Sequence, residues 1–169
     1  LPVGSDGATA LLGPSQMDVS RLGMSLGGLQ FPVPFTVTDL GRPQIVRSAI
    51  ESMAFAVRSN LEQAEELTGM KSVQLPVGGG MTRSKTFVRV LTDVLEREVV
   101  LAPGPDVSSV GAYLCARKGI SDFGSLGEAA ASVRPRLRTV EPDPLDSADY
   151  DGLYQRWTEL SGKIEALGL

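Results

Sequence analysis

The strongest apolar rhythm in the chain lies in "RPQIVRSAIESMAFAVRSNLEQAEELTG". Val46, Ile50, Met53, Val57, Leu61 and Ala64 recur there at three- and four-residue steps. That period predicts a helix over 43–68 with this stripe facing a core. Pro43 suits a first-turn position and Gly69 a stop. At 1.5 Å per residue such a helix runs roughly 35–40 Å, long enough to span a sheet. Downstream, short apolar runs alternate with helical periods. "SVQLPV" (72–77) predicts a strand in which Pro76 must sit at the end or where no N–H is needed. Phe87, Leu91 and Val94, with Val88 and Leu95, predict a helix over about 83–95, and "REVVLAP" a second strand ending at Pro103. "DVSSVGAYLCARKG" (106–119) predicts a helix with Asp106 as N-cap and Gly119 as its stop. "SLGE" (125–128) has capping-box spacing. Tyr150, Leu153, Trp157, Leu160 and Ile164 share one face of a last helix, read as a core or inter-domain face.

The remaining segments lack a period. Residues 1–19, rich in Gly, Pro and Ser, read as loop, and "RLGMSLGGL" (21–29) as a short strand. Prolines make 30–42 an irregular excursion, and 134–146 is a basic, then proline-rich connector to the last helix. No internal repeat of 20 to 50 residues is visible. The element order predicts a three-layer α/β arrangement with a parallel strand pair at its centre.

Composition narrows the partners. A chain of 169 residues, 42% hydrophobic, is one domain with a real core. Its 16 Lys and Arg are scattered among 20 acids for a net charge of −4, which argues against nucleic acid. No apolar run reaches the roughly 18 residues of a membrane span. The first residues lack a basic n-region and an initiator Met, as expected of a fragment or trimmed chain without a signal peptide. A lone cysteine, Cys115, fits a reducing cytoplasm and reads as a buried, inert thiol. Histidine is absent, which removes Ser–His or Cys–His catalysis and imidazole metal sites within this chain.

The glycine run in "LPVGGGMTRSKTFVRVLTDVLEREVV" (75–100) is where chemistry could lie. Glycines between a strand and a helix permit a tight turn, and they also let a ligand lie against bare backbone. The free N–H groups of the helix that follows would favour a phosphate there. Local sequence alone leaves turn and binding loop both open. A P-loop needs Gly before its Lys, but Ser84 precedes Lys85. A dinucleotide fingerprint needs a third glycine where Arg83 stands.

Longer segments do match a family. "VGGGMTRSKTFVRVLTDVLEREVV" closely resembles the adenosine-binding segment of the FGGY carbohydrate kinases, with Thr92-Asp93, Leu95 and Val99-Val100 at the family's positions. "QIVRSAIESMAFAVR" (44–58) looks like the family's second signature through Gln44, Ser48, Ala49, Ile50 and Glu51. "DVSSVGAYLCARKGI" (106–120) resembles the Gly-Ala-Ala helix that follows. The resemblance covers roughly residues 20 to 131.

It implies an actin-like ATPase fold, ribonuclease H-like, with residues 1–169 as a portion of the C-terminal, nucleotide-side domain lacking its N-terminal side. It implies ATP as cofactor, with Mg²⁺ arriving on it, and Gly78, Gly79, Gly80, Met81 and Ser84 as the cofactor-binding residues. Gly79 and Gly80 would touch the nucleotide, Gly78 would serve the turn, and Met81 and Ser84 would lie near ribose and adenine. Asp93 and Glu51 are implied to be structural acids, because the family's catalytic Asp lies upstream of the aligned part. No catalytic or metal-ligating residue is therefore expected here, and the isolated chain is expected to be inactive. The implied partners are the N-terminal sugar-binding domain of the same protein and a sugar or polyol substrate. A homodimer is compatible with this.

Departures from the family are Ser52 in place of Gly, Arg89 near a common Gln, an insertion at 30–42, and "GSDGAT" (4–9) in place of Gly-Glu-Arg-Thr-Pro. They leave the sugar unidentified. The alternative reading is a non-catalytic actin-like module that binds a nucleotide or a protein.

Overall fold

A computed structural model describes residues 1–20, 23–24, 26–33, 40–102, 106–133 and 137–167. The elements are β1 (Thr9–Leu11), β2 (Gly28–Gln30), α1 (Arg42–Thr68), β3 (Gln74–Val77), α2 (Lys85–Leu95), β4 (Glu98–Leu101), α3 (Val107–Gly119), α4 (Leu126–Ser132), β5 (Arg138–Val140) and α5 (Pro144–Leu167). Strands β3 and β4 pair in parallel, as the alternation predicts, with Gln74 opposite Glu98 and Val77 opposite Leu101. β5 adds antiparallel to the other side of β4, and β1 with β2 forms a separate antiparallel pair.

Local chemistry explains several boundaries. Pro43 lies in the first turn of α1, and Gln44 Oε1 reaches back to accept the Gly41 N–H at 3.0 Å. Gly69, at φ 67°, ends the helix. Ser84 caps α2 by accepting the Phe87 N–H at 3.2 Å, and Ser125 caps α4 by accepting that of Glu128 at 3.1 Å. Glu128 reaches past the cap to the Gly124 N–H at 2.8 Å. In β3 the Ala102 N–H donates to the Val77 carbonyl at 2.9 Å, so Val77 and Leu75 turn their backbone groups toward β4. Pro76 therefore faces the free edge of the sheet, where its missing N–H breaks no ladder.

The core joins Phe55 of α1, Phe87, Val88, Val90, Leu91, Val94 and Leu95 of α2, Val99 and Leu101 of β4, and Tyr150, Tyr154 and Trp157 of α5. The apolar face of α2 and the stripe of α5 are thus as expected. Five expectations need correction. Residues 1–19 are not all loop, since β1 is inserted in the core, with Ala10 and Leu11 buried and the Ala10 carbonyl accepting the Trp157 Nε1–H at 3.1 Å. The connector 134–146 contains β5 and the start of α5, each held by pairing or packing from distant chain. Cys115 is exposed, because α3 buries none of its residues.

The largest correction concerns α1. Val46, Val57 and Ala64 are exposed, and the buried face is Gln44, Ser48, Glu51, Ser52, Phe55 and Ser59. Ile50, Met53 and Leu61 remain half-buried against the core. A polar face goes inside because its groups find partners there, which a periodicity count cannot register. The strand expected at 21–29 is confined to its end and runs to Gln30. Residues 21, 22 and 25, most of the 30–42 excursion (34–39), Pro103 and the basic start of the connector (134–136) lie outside the described residues.

Candidate functional site

The three glycines differ physically. A Cβ on Gly78 would stand 2.9 Å from Val107 Cγ1 and 3.3 Å from the Ala102 Cβ, so the start of α3 packs directly on that residue. Gly79 has φ 107° and ψ −179°, a conformation that L side chains rarely adopt. Gly80 has neither constraint. Its φ is not positive, and a Cβ there would meet no atom of the described residues within 4 Å. The same holds, among the described residues, of a Cβ on Gly79.

A single 3₁₀ turn, Gly80–Arg83, follows before α2 begins. The Thr82 hydroxyl and N–H both donate to the Gly79 carbonyl, at 2.7 and 3.1 Å, and fix the turn. Met81 is 46% exposed beside the open glycines. Ser84 lies at the far end of the turn, its oxygen already engaged as the α2 cap. The sequence leads one to expect the free N–H groups of α2 directly after the glycines; the turn and the Ser84 cap intervene. The helix end against the glycine run is that of α3, through Val107 on Gly78.

The two acids noted in the sequence are both buried and both structural. Asp93, 1% exposed, accepts the Asp143 N–H at 2.8 Å and pairs with Arg89 Nε at 2.9 Å, tying the start of α5 to α2. Glu51, 3% exposed, has four donors: the Gly4 N–H at 3.0 Å, the Ser5 hydroxyl at 2.7 Å, Arg47 Nε at 2.9 Å and the Tyr150 hydroxyl at 3.1 Å. Burial first, then the Glu51 carboxylate, pushes the Tyr150 phenol well above its usual range, so it stays a proton donor to Glu51.

Glu51 thereby holds a turn that sequence reasoning left as loop. Gly4, Ser5, Asp6 and Gly7 all have positive φ, at 83°, 52°, 52° and 84°, and the Gly7 N–H closes on the Gly4 carbonyl at 2.8 Å. Asp6 is exposed and accepts from Gln44 Nε2 at 3.0 Å. The "GSDG" string with its two bounding glycines was the available signal.

Among the described residues no helix is long and apolar enough to cross a membrane, and no three His, Cys, Asp or Glu side chains are grouped as metal ligands.

Comparison with known proteins places the chain. The model of the FGGY family of carbohydrate kinases, C-terminal domain, matches residues 30–119. A ribulokinase of Anoxybacillus flavithermus is 31% identical over 130 residues, covering 73% of this chain and 23% of that protein. A glycerol kinase of Thermococcus gammatolerans is 29% identical over 119 residues, covering 70% and 23%. The chain thus spans about a quarter of the length of the curated relatives it matches. Ligand-bound xylulose kinase from Lactobacillus acidophilus, 19% identical, superposes with a TM-score of 0.76 over 99% of this chain and 33% of that one, which shows the fold. The chain belongs to the FGGY family of carbohydrate kinases and has the actin-like fold of that family's C-terminal domain.

Proposed function

We propose that this chain is the nucleotide-side part of an ATP-dependent carbohydrate kinase, with the backbone of Gly79 and Gly80 lying against the adenosine of ATP. Gly80 carries the reading. Packing accounts for Gly78 and conformation for Gly79, but neither accounts for a glycine at 80. Bare backbone facing open space is what a ligand in close contact requires. Met81 supplies an exposed apolar side chain beside it, suited to the face of a purine, with Ser84 at the edge of the same turn.

ATP supplies the phosphoryl group, and Mg²⁺ comes held on its phosphates. This chain's own contribution is to bind and orient the adenosine end. The phosphoryl acceptor is a sugar or polyol hydroxyl held with the N-terminal domain of the same protein, and closure of the two domains aligns the reactants. The setting is the cytoplasm. Alone, the 169 residues should show no sugar-dependent ATP turnover.

Replacing Gly80 tests the site most cleanly. In the full-length kinase, Gly80→Val should raise the KM for ATP far more than that for the sugar, with the melting temperature little changed. Ser84→Ala should act in the same direction but more weakly, with some stability lost because it also removes the α2 cap. A folded Gly80→Val protein that binds ATP as tightly as wild type would show that the glycines form only a turn.

A further inference from the structure

The Gly4–Gly7 turn and the glycine run emerge at the same end of the fold. Arg58 of α1 donates to the Val94 carbonyl at the end of α2 at 3.3 Å, and Glu65 pairs with Arg97 just beyond it. The two helices therefore run the same way, with Arg58 of α1 level with the last turn of α2. Counting back from those contacts, α1 rises about 24 Å to residue 42 and α2 about 14 Å to residue 85. The first turns of α1 thus stand roughly 10 Å beyond the start of α2, on the side where β3 delivers Gly78–Gly80. In parallel α/β sheets that side, beyond the carboxyl ends of the strands, is where ligands sit. Gln44 in the first turn of α1 and Glu51 below it hold the Gly4–Gly7 turn at this end.

The turn is costly and over-determined. Two consecutive non-glycine residues, Ser5 and Asp6, take left-handed backbone between two left-handed glycines. Ser5 is fully buried, with its hydroxyl on Glu51. A buried carboxylate with four donors is far more than a surface loop needs, and strain held in this way marks sites where a side chain must be presented in one place. The side chain presented is that of Asp6. Gln44 engages its Oδ2, which holds the carboxylate at the exposed tip of this turn.

Resting on the kinase reading above, we infer that Asp6 is a binding residue for the phosphoryl acceptor, accepting a hydrogen bond from a sugar or polyol hydroxyl, and that Glu51 is its positioning residue. A fixed carboxylate suits hydroxyl donors and repels an approaching phosphate. Asp6 therefore belongs to the acceptor side of the site, apart from the nucleotide side at Gly79–Gly80.

The test uses the full-length kinase assayed with ribulose, xylulose and glycerol. Asp6→Ala should raise the acceptor KM by roughly tenfold or more while the ATP KM stays within about twofold. Its melting temperature should fall only slightly, from the lost Gln44 hydrogen bond and the left-handed backbone at an exposed position. Asp6→Asn, which keeps an acceptor oxygen, should recover most of the loss. Glu51→Gln should give the same KM split together with lower thermal stability. An unchanged acceptor KM in Asp6→Ala overturns the inference, as does a shifted Mg²⁺ requirement that Asp6→Asn fails to rescue. Wild-type protein that turns over none of these three, nor any of a wider panel of ketoses, aldonates and polyols, removes the kinase reading and this inference with it. An active wild type with a silent Asp6→Ala removes this inference alone.

Discussion

The carboxylate of Asp93 accepts the backbone N–H of Asp143 across fifty residues of chain, and so decides where α5 begins against α2. Arg89, one turn earlier on α2, closes the arrangement through the other carboxylate oxygen. Asp93→Ala should destabilise the chain by about 2–3 kcal/mol, because it leaves the Asp143 N–H without its acceptor and Arg89 without its buried partner. Denaturant midpoints measure this, and a loss below about 0.5 kcal/mol would show that the tie is incidental.

The same residue predicts a pH dependence. Burial is the largest influence on Asp93 and raises its carboxyl above the usual carboxylate range, against the pull of the Asp143 N–H and Arg89. A carboxyl whose pKa is higher folded than unfolded binds more protons in the native state between those two values. Its contribution to stability therefore falls as pH rises through that window. Asp93→Asn does not titrate, so its stability relative to wild type should increase from acid pH toward neutral and then level off. Paired melts across that range read the sign directly, and a relative stability that decreases with rising pH would contradict the burial effect.

Glycine replacements should separate packing from conformation. Gly78→Ala drives a methyl into Val107 and Ala102 and should cost about 1–3 kcal/mol. Gly79→Ala forces an L residue to φ 107° and should cost a similar amount, about 1–3 kcal/mol. Gly80→Ala should fall within about 0.5 kcal/mol of wild type. Equal losses at all three positions would contradict the geometry of the turn.

Trp157, the only tryptophan, reports the docking of β1 on α5. It is 1% exposed and packs on Phe55 at 5.8 Å and Tyr154 at 6.3 Å between ring centroids. Its emission should be that of a buried indole and shift to the red in a single unfolding transition. Trp157→Phe fills most of the space but leaves the Ala10 carbonyl without its donor, and should cost about 1–3 kcal/mol. Trp157→Ala should cost about 3–5 kcal/mol.

Cys115 should react with a thiol reagent in the native protein at close to its rate in denaturant, without any change in Trp157 emission. Protection of the thiol until the chain unfolds would place α3 against a partner surface instead.

Local and near-local patterns were sufficient for much of this protein. Pro43 and Gly69 bound α1, Ser125 caps α4, and the period of Phe87, Leu91 and Val94 selects the buried face of α2. These follow because each depends on residues within one or two helical turns. The parallel pairing of β3 with β4 was legible because a strand, a helix and a second strand leave few other arrangements. Family membership was legible in three motifs in the right order. Tertiary structure alone decided the rest. β1 is a three-residue strand without a period, and it exists because Trp157 and α1 lie over it. The core face of α1 is polar because Glu51 meets groups 46, 47 and 99 residues away, a satisfaction that no hydrophobic count can anticipate. Cys115 has apolar neighbours in sequence, yet no described element covers it. Only three-dimensional packing divides the glycine run into one residue required by Val107, one required by its own backbone angle, and one, Gly80, that no described residue covers.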